Sequence, residues 1–171
     1  MADAGAGGTL AERSLKDSEQ PQLSGATLMG EPSTIAEHVY AAYSRGDLDA
    51  CLRLFALDCT VTFPGMPPLT GAEQLRPFLE VQLEAFPNGR HTVCSVIEQG
   101  SDAAIELVFT GEHTGPYRTP AGAIPPSGRH VTFESVDLVQ VEAGRIKSWR
   151  TYLDTASMMT QIGASLVLAS A

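Results

Sequence analysis

Asp137 is the residue of this chain with the clearest capacity for chemistry. It falls midway along an alternating segment, 131–141, and parity places it on the face that carries Val131, Phe133, Ser135, Val139 and Val141. A carboxyl among apolar side chains loses hydration in its charged form, which raises its pKa. Such a group can accept and return a proton near neutrality. The competing role is structural: an aspartate paired with an arginine, or one turned to solvent on the open side of a sheet. His113 closes the preceding segment in phase with Ile105, Leu107 and Phe109. It is suited either to orient or polarise a carbonyl and share the proton traffic, or to bond backbone and fix the loop behind it. Tyr40 or Tyr43 offers a phenol of the kind that stabilises a developing oxyanion.

The last alternating segment, 145–153, divides its side chains between two faces. Ser148, Arg150 and Tyr152 share parity with Asp154, and Trp149 points the other way. Arg150, Tyr152 and Asp154 are the candidates for polar contact with a ligand, Arg150 also as a partner of Asp154 or Asp137. Trp149 reads as core or subunit interface. Tyr43, Phe63, Met66, Phe78, Phe86, Phe109 and Phe133 are the candidate apolar walls of a binding site, with ordinary core as the competing role.

Other chemistries lack their residues. No GxGxxG is followed by a downstream acid and no GxxxxGK[ST] occurs, so no nucleotide cofactor is expected. His38, His91, His113 and His130 show neither HxH nor HExxH spacing, so no metal is expected. No GxSxG is present, and Cys51, Cys59 and Cys94 sit in apolar patterns that suit core thiols.

Positioning these residues takes helices first and strands afterwards. Thr34 to Glu37 has the spacing of a capping box, and Ile35, Val39, Ala42 and Tyr43 then share a helical face that ends at Gly46. Asp47 can cap a short second helix. Residues 59–63 alternate as a strand, and prolines 64, 67 and 68 break it. Thr70 to Glu73 is a second capping-box candidate ahead of a helix carrying Leu75, Phe78, Leu79, Leu83 and Phe86. Pro77 sits awkwardly in that helix and suggests a start nearer Gln74. Strands are expected over 91–99, 104–114, 131–141 and 145–153, with tight hairpins at 101–102 and 142–144. A Pro- and Gly-rich loop fills 115–128, and a last helical turn is expected over 156–162. The fold class is therefore α+β, a curved antiparallel sheet wrapped around N-terminal helices with a pocket between them.

The 171 residues suit one domain, expected over 33–163, with a mobile tail at 1–32 and a C-terminal extension at 164–171. Eleven Lys and Arg against twenty Asp and Glu give a net charge of −9. That balance argues against nucleic acid and anionic membrane surfaces, which need clustered cations. No apolar run approaches the ~20 residues of a membrane span and no secretory signal is visible. Three cysteines without a CxxC pair suggest a reducing cytoplasm.

Several stretches together resemble one family. They are Tyr40-Ala-Ala-Tyr-Ser-Arg-Gly-Asp-Leu48, Phe109-Thr-Gly-Glu-His-Thr-Gly115, Ile124-Pro-Pro-Ser-Gly-Arg129, and Asp137 followed by Gly144-Arg-Ile-Lys-Ser-Trp149 and Asp154. The sequence resembles the SnoaL-like polyketide cyclases of the nuclear-transport-factor-2-like superfamily over roughly 33–163. The resemblance implies a cone-shaped α+β barrel and a homodimer or higher homo-oligomer. It also implies a cofactor-free cyclase or isomerase of a hydrophobic, carbonyl-rich, polyketide-like molecule. Asp137 would be its general acid and base, with His113 lining the pocket and Asp154 touching it. An arginine between two aspartates, Arg150 here, resembles the limonene-type epoxide hydrolases, so epoxide opening is a second implied chemistry. Relatives that only bind a ligand or dimerise supply a third. Extra residues at 119–123 depart from the family pattern at the expected pocket mouth.

Overall fold

The computed structural model describes residues 30–119 and 122–164. Three helices and a strand pair precede the main meander: α1 (Glu31–Ser44), α2 (Leu48–Leu52), β1 (Phe55–Thr62), β2 (Leu69–Thr70) and α3 (Ala72–Ala85). Then follow β3 (Arg90–Gln99), β4 (Asp102–Glu112), the short hairpin β5 (Tyr117–Thr119) and β6 (Gly122–Ile124), β7 (His130–Glu142), β8 (Arg145–Leu153) and α4 (Thr155–Gln161). The six-stranded sheet has the order β2-β1-β8-β7-β4-β3, curves, and does not close. The meander is antiparallel as its hairpin turns demand, and β1 joins it parallel to β8, so the sheet is mixed at that edge. The expected tail and extension lie outside the described residues, apart from Gly30 to Pro32 and Ala164.

Local sequence explains most boundaries. Gly46 takes a left-handed conformation at φ +71° behind α1, and the Asp47 carboxylate accepts from the Ala50 amide to start α2. The β7–β8 turn places Ala143 and Gly144 at positive φ, the conformation of a two-residue hairpin whose twist matches its strands. Gly115 is required by proximity. A Cβ there would sit 1.8 Å from the carbonyl oxygen of Glu84, where the loop crosses the end of α3.

Neither expected capping box forms. Helix α1 starts at Glu31, two residues before the expected domain boundary, and the Thr34 hydroxyl donates back to the Gly30 carbonyl. The free amides of Gly30 and Ser33 are instead taken by the carboxylate of Glu98, far away on β3. Helix α3 starts at Ala72 and runs through Pro77. Its N-terminal side-chain contact is Gln74 Oε1 accepting from the Thr70 amide, not a Glu73 cap. Cys94 is exposed and departs from the core-thiol reading, because β3 slips register between Val93 and Ser95 there.

The helices cover the concave side of the sheet. One buried cluster joins α1, α2 and α3 to the sheet through Ala36, Cys51, Cys59, Leu75, Leu107 and Ile146. A second, under α4 and the end of α3, contains Ala85, Phe86, Phe109, Val131, Met158 and Ile162. Asp137 lies on the sheet between the helices and the central strands.

Candidate active site

A cavity of about 180 Å³ lies between helices and sheet. It exceeds the ~150 Å³ engineered apolar cavity that holds a benzene ring, so it admits a body of one to two fused rings. Its walls include Phe63, Met66, Phe78 and Phe133, with Tyr43 from α1 and Tyr117 from β5. Phe63 and Phe78 stack with ring centres 4.0 Å apart. Few polar groups interrupt this lining, and Asp137 is among them.

Cross-strand register determines what Asp137 meets. Ile105 of β4 and Thr151 of β8 lie directly opposite it on either side. The side chain is 4 % exposed. Thr151 Oγ1 donates to Oδ1 at 2.6 Å, and the Tyr40 hydroxyl on α1 donates to Oδ2 at 2.7 Å. The indole of Trp149 can only donate, and it gives its Nε1–H to Thr151 Oγ1 at 3.1 Å. Thr151 must therefore accept there and spend its single proton on Asp137. Each carboxylate oxygen keeps a further lone pair for a ligand.

Burial dominates the electrostatics. It raises the pKa of Asp137 above the ordinary carboxylate range, and the donations from Thr151 and Tyr40, with Trp149 close behind, do not cancel it. Burial first, and the Asp137 carboxylate second, raise the pKa of Tyr40, so its phenol stays protonated and donates. Burial likewise raises Tyr43. The result is a carboxyl held in one orientation by two donors, in an apolar chamber, with a raised proton affinity.

His91 also lines this cavity. Its ring stacks on Tyr40 at 5.2 Å between centres and meets Tyr43 and Phe109 edge-on at 5.3 and 5.1 Å. Burial lowers its pKa to about 4, so the imidazole is neutral at ordinary pH.

The sequence candidates separate into three groups. Asp137, Tyr43, Phe63, Met66, Phe78 and Phe133 converge on the cavity. Phe86, Phe109 and His113 lie in or against the second cluster and do not line the cavity. His113 is fully buried. Its Nδ1 accepts from the Ser127 amide and contacts Ser127 Oγ at 3.0 Å, while its backbone bonds Arg129 and Gly128. The structure thus gives His113 to the loop, correcting its placement in the pocket. Arg150, Tyr152 and Asp154 are corrected as well. Arg150 and Tyr152 are exposed on the opposite side of β8. Asp154 caps α4 by accepting from the Ser157 amide. The inward side chains of β8 are Trp149, Thr151 and Leu153. Thr151 and the role of His91 were missed, and only the parity shared by Thr151 and Trp149 signalled the first.

Residues 33–162 match the family model for SnoaL-like polyketide cyclase. The chain belongs to this family. No curated protein matches it. Similar solved structures include a protein from Jannaschia sp. CCS1 described as a SnoaL-like polyketide cyclase, at 24 % identity and TM-score 0.68, covering 81 % of this chain and 97 % of that one. IdmH from Streptomyces antibioticus, described as a polyketide cyclase, is 25 % identical with TM-score 0.64 and coverages of 79 % and 100 %. An NTF2-like protein from Burkholderia pseudomallei K96243 aligns at 22 % identity and TM-score 0.66, with coverages of 80 % and 100 %. This SnoaL-like chain therefore has the nuclear-transport-factor-2-like fold. No described helix is long and apolar enough to cross a membrane.

Proposed function

We propose that this protein is a cofactor-independent cyclase or isomerase acting on a hydrophobic, carbonyl-rich small molecule, with Asp137 as general acid and base. The observation that carries this reading is a buried carboxyl, oriented by Tyr40 and Thr151, on the wall of a largely apolar cavity. The charged form removes a proton from a carbon flanked by carbonyls and leaves an enolate. The enolate carbon attacks a second carbonyl of the same molecule. Protonated Asp137 then returns its proton to the new alkoxide, so a C–C and an O–H bond replace a C–H bond and a carbonyl π bond, with no net redox change. A positioned base contributes roughly 10²–10⁴-fold, and orientation of the substrate in the cavity supplies much of the remainder. The family's name supports this class of reaction.

Epoxide opening would need a second acid beside the epoxide oxygen. The sequence candidates for it, His113 and Asp154, do not line the cavity, and neither does Arg150, the arginine expected between two aspartates. The test is deuterium incorporation at C1 of 2-tetralone in D2O, followed by proton NMR. Wild-type protein is expected to accelerate it, and Asp137→Asn to lower the rate about 100-fold with an unchanged circular dichroism spectrum. Equal rates in the two proteins would remove Asp137 as the base. Saturable binding of 2-tetralone without accelerated exchange would reduce the protein to a binding module.

A further inference from the structure

His91 is a half-buried histidine that the proton-transfer scheme above leaves unused. No described residue forms a hydrogen bond with either of its ring nitrogens. Nδ1 is sealed from solvent without a partner, whereas Nε2 is not sealed. The ring lines the cavity and is held by stacking on Tyr40, whose hydroxyl bonds Asp137. Tyr40 thus stands between two polar groups of one chamber: the carboxyl at its hydroxyl end and the imidazole on its ring face.

A neutral imidazole carries one proton and one lone pair. Placing the proton on the sealed Nδ1 would bury an N–H with no acceptor, and orphaned buried N–H groups are rarer than under-used acceptors. The Nε2–H tautomer leaves the donor at the unsealed nitrogen. A neutral imidazole donor is a known means of polarising a carbonyl without itself giving up a full charge. An enolate forming at Asp137 needs such a donor at its oxygen, because stabilisation of developing charge by a fixed dipole is a large share of the catalytic effect.

We infer that His91 presents Nε2–H to the cavity as the hydrogen-bond donor for the substrate carbonyl whose adjacent carbon faces Asp137. As a catalytic role this rests on the proposed Asp137 chemistry; as a binding contact it stands on the cavity alone. Substrates then carry a carbonyl or enol oxygen adjoining the acidic carbon, on a flat apolar body.

The experiment uses the full chain and two probes. In protein labelled with ¹⁵N-histidine, long-range proton–nitrogen correlation is expected to show His91 as the Nε2–H tautomer. Adding 2-naphthol, an aromatic mimic of the enol of 2-tetralone, should shift its Nε2 resonance more than its Nδ1 resonance. His91→Gln, whose amide nitrogen reaches the place of Nε2, should keep naphthol affinity within about threefold. His91→Asn and His91→Phe should each lose about tenfold, the usual worth of one hydrogen bond. At saturating 2-tetralone, His91→Phe should lower exchange about 100-fold, the common cost of losing an oxyanion donor. A Nδ1–H tautomer, a His91 signal indifferent to 2-naphthol, or equal affinities for wild type, Gln and Phe variants would each overturn the inference. Failure of Asp137→Asn to reduce exchange would sink the base assignment while the naphthol measurements still decide His91.

Discussion

At Asp137 stability and activity pull in opposite directions. Its raised pKa means that the native protein holds a proton at pH values where the unfolded chain has released it. The stabilising contribution is complete below the unfolded value, about pH 4, and is lost as pH rises through the native value. Above that the fold carries a buried charge. Asp137→Asn removes this charge, keeps an acceptor for Tyr40, and should melt at a higher temperature than wild type near neutral pH. The difference should vanish near pH 4. A lower melting temperature for Asp137→Asn at neutral pH, read by calorimetry, would contradict the direction of the shift. Asp137 itself was legible from parity, because β7 keeps strict alternation between Val131 and Val141. His91 was not, since the β3 register slip at Cys94 disrupts the alternation that would have marked its inward face. The β8 candidates failed for another reason. Alternation separates two faces but does not say which one turns inward, and Trp149 and Tyr152 give both faces an aromatic side chain.

Among the elements, α1 depends most on a distant residue. It carries Tyr40 and Tyr43, so its placement sets the distance between phenol and carboxyl. Its start was misplaced on the sequence because the capping group is Glu98, 65 residues beyond Ser33. Local spacing offers Thr34 and Glu37, and nothing local reveals that β3 delivers a carboxylate to the same amides. Gly30 fits only because it lacks a side chain: a Cβ there would approach Glu98 Oε2 to 2.8 Å. Desolvation pushes the pKa of Glu98 up, yet the donations from Ser33 and Gly30 outweigh it and hold the group below its ordinary value. Its contribution is therefore present above about pH 4.5 and lost as pH falls through the native value. Glu98→Gln offers one acceptor where two amides converge and should cost about 1 kcal/mol, in the range of a lost helix cap. Urea unfolding near neutral pH measures this. An unchanged midpoint would show that Glu98 is not the cap. The four long strands β3, β4, β7 and β8, set by alternation and turn residues, needed no such remote partner and lie within two residues of the expected bounds, whereas β1 starts at Phe55 rather than 59, β2 was not expected, and the expected loop 115–128 contains the hairpin β5–β6.

For the whole molecule the open question is what covers the outer face of the sheet. The described helices lie on the concave side, and Ile97, Val136 and Tyr152 are 72, 37 and 55 % exposed on the other. Register aligns them in two neighbouring rows, Ile97-Ala104-Leu138-Arg150 and Ser95-Glu106-Val136-Tyr152. This face carries its own acid and base, Glu106 and Arg150, around an apolar centre. Self-complementarity of that kind suits a twofold contact, in which each copy presents the same patch to the other. We propose that a second copy of the chain is the occupant. A net charge of −9 on each chain opposes the approach, so added salt should tighten the association by screening that repulsion while leaving the apolar contact in place. Sedimentation velocity should show a dimer at micromolar concentration. Tyr152→Glu should shift it toward monomer while 2-tetralone exchange continues, because every group assigned to the cavity comes from one chain. A wild-type monomer at all salt concentrations would leave the face uncovered and end the proposal. Loss of exchange in a folded Tyr152→Glu monomer would mean that the cavity is incomplete without the partner.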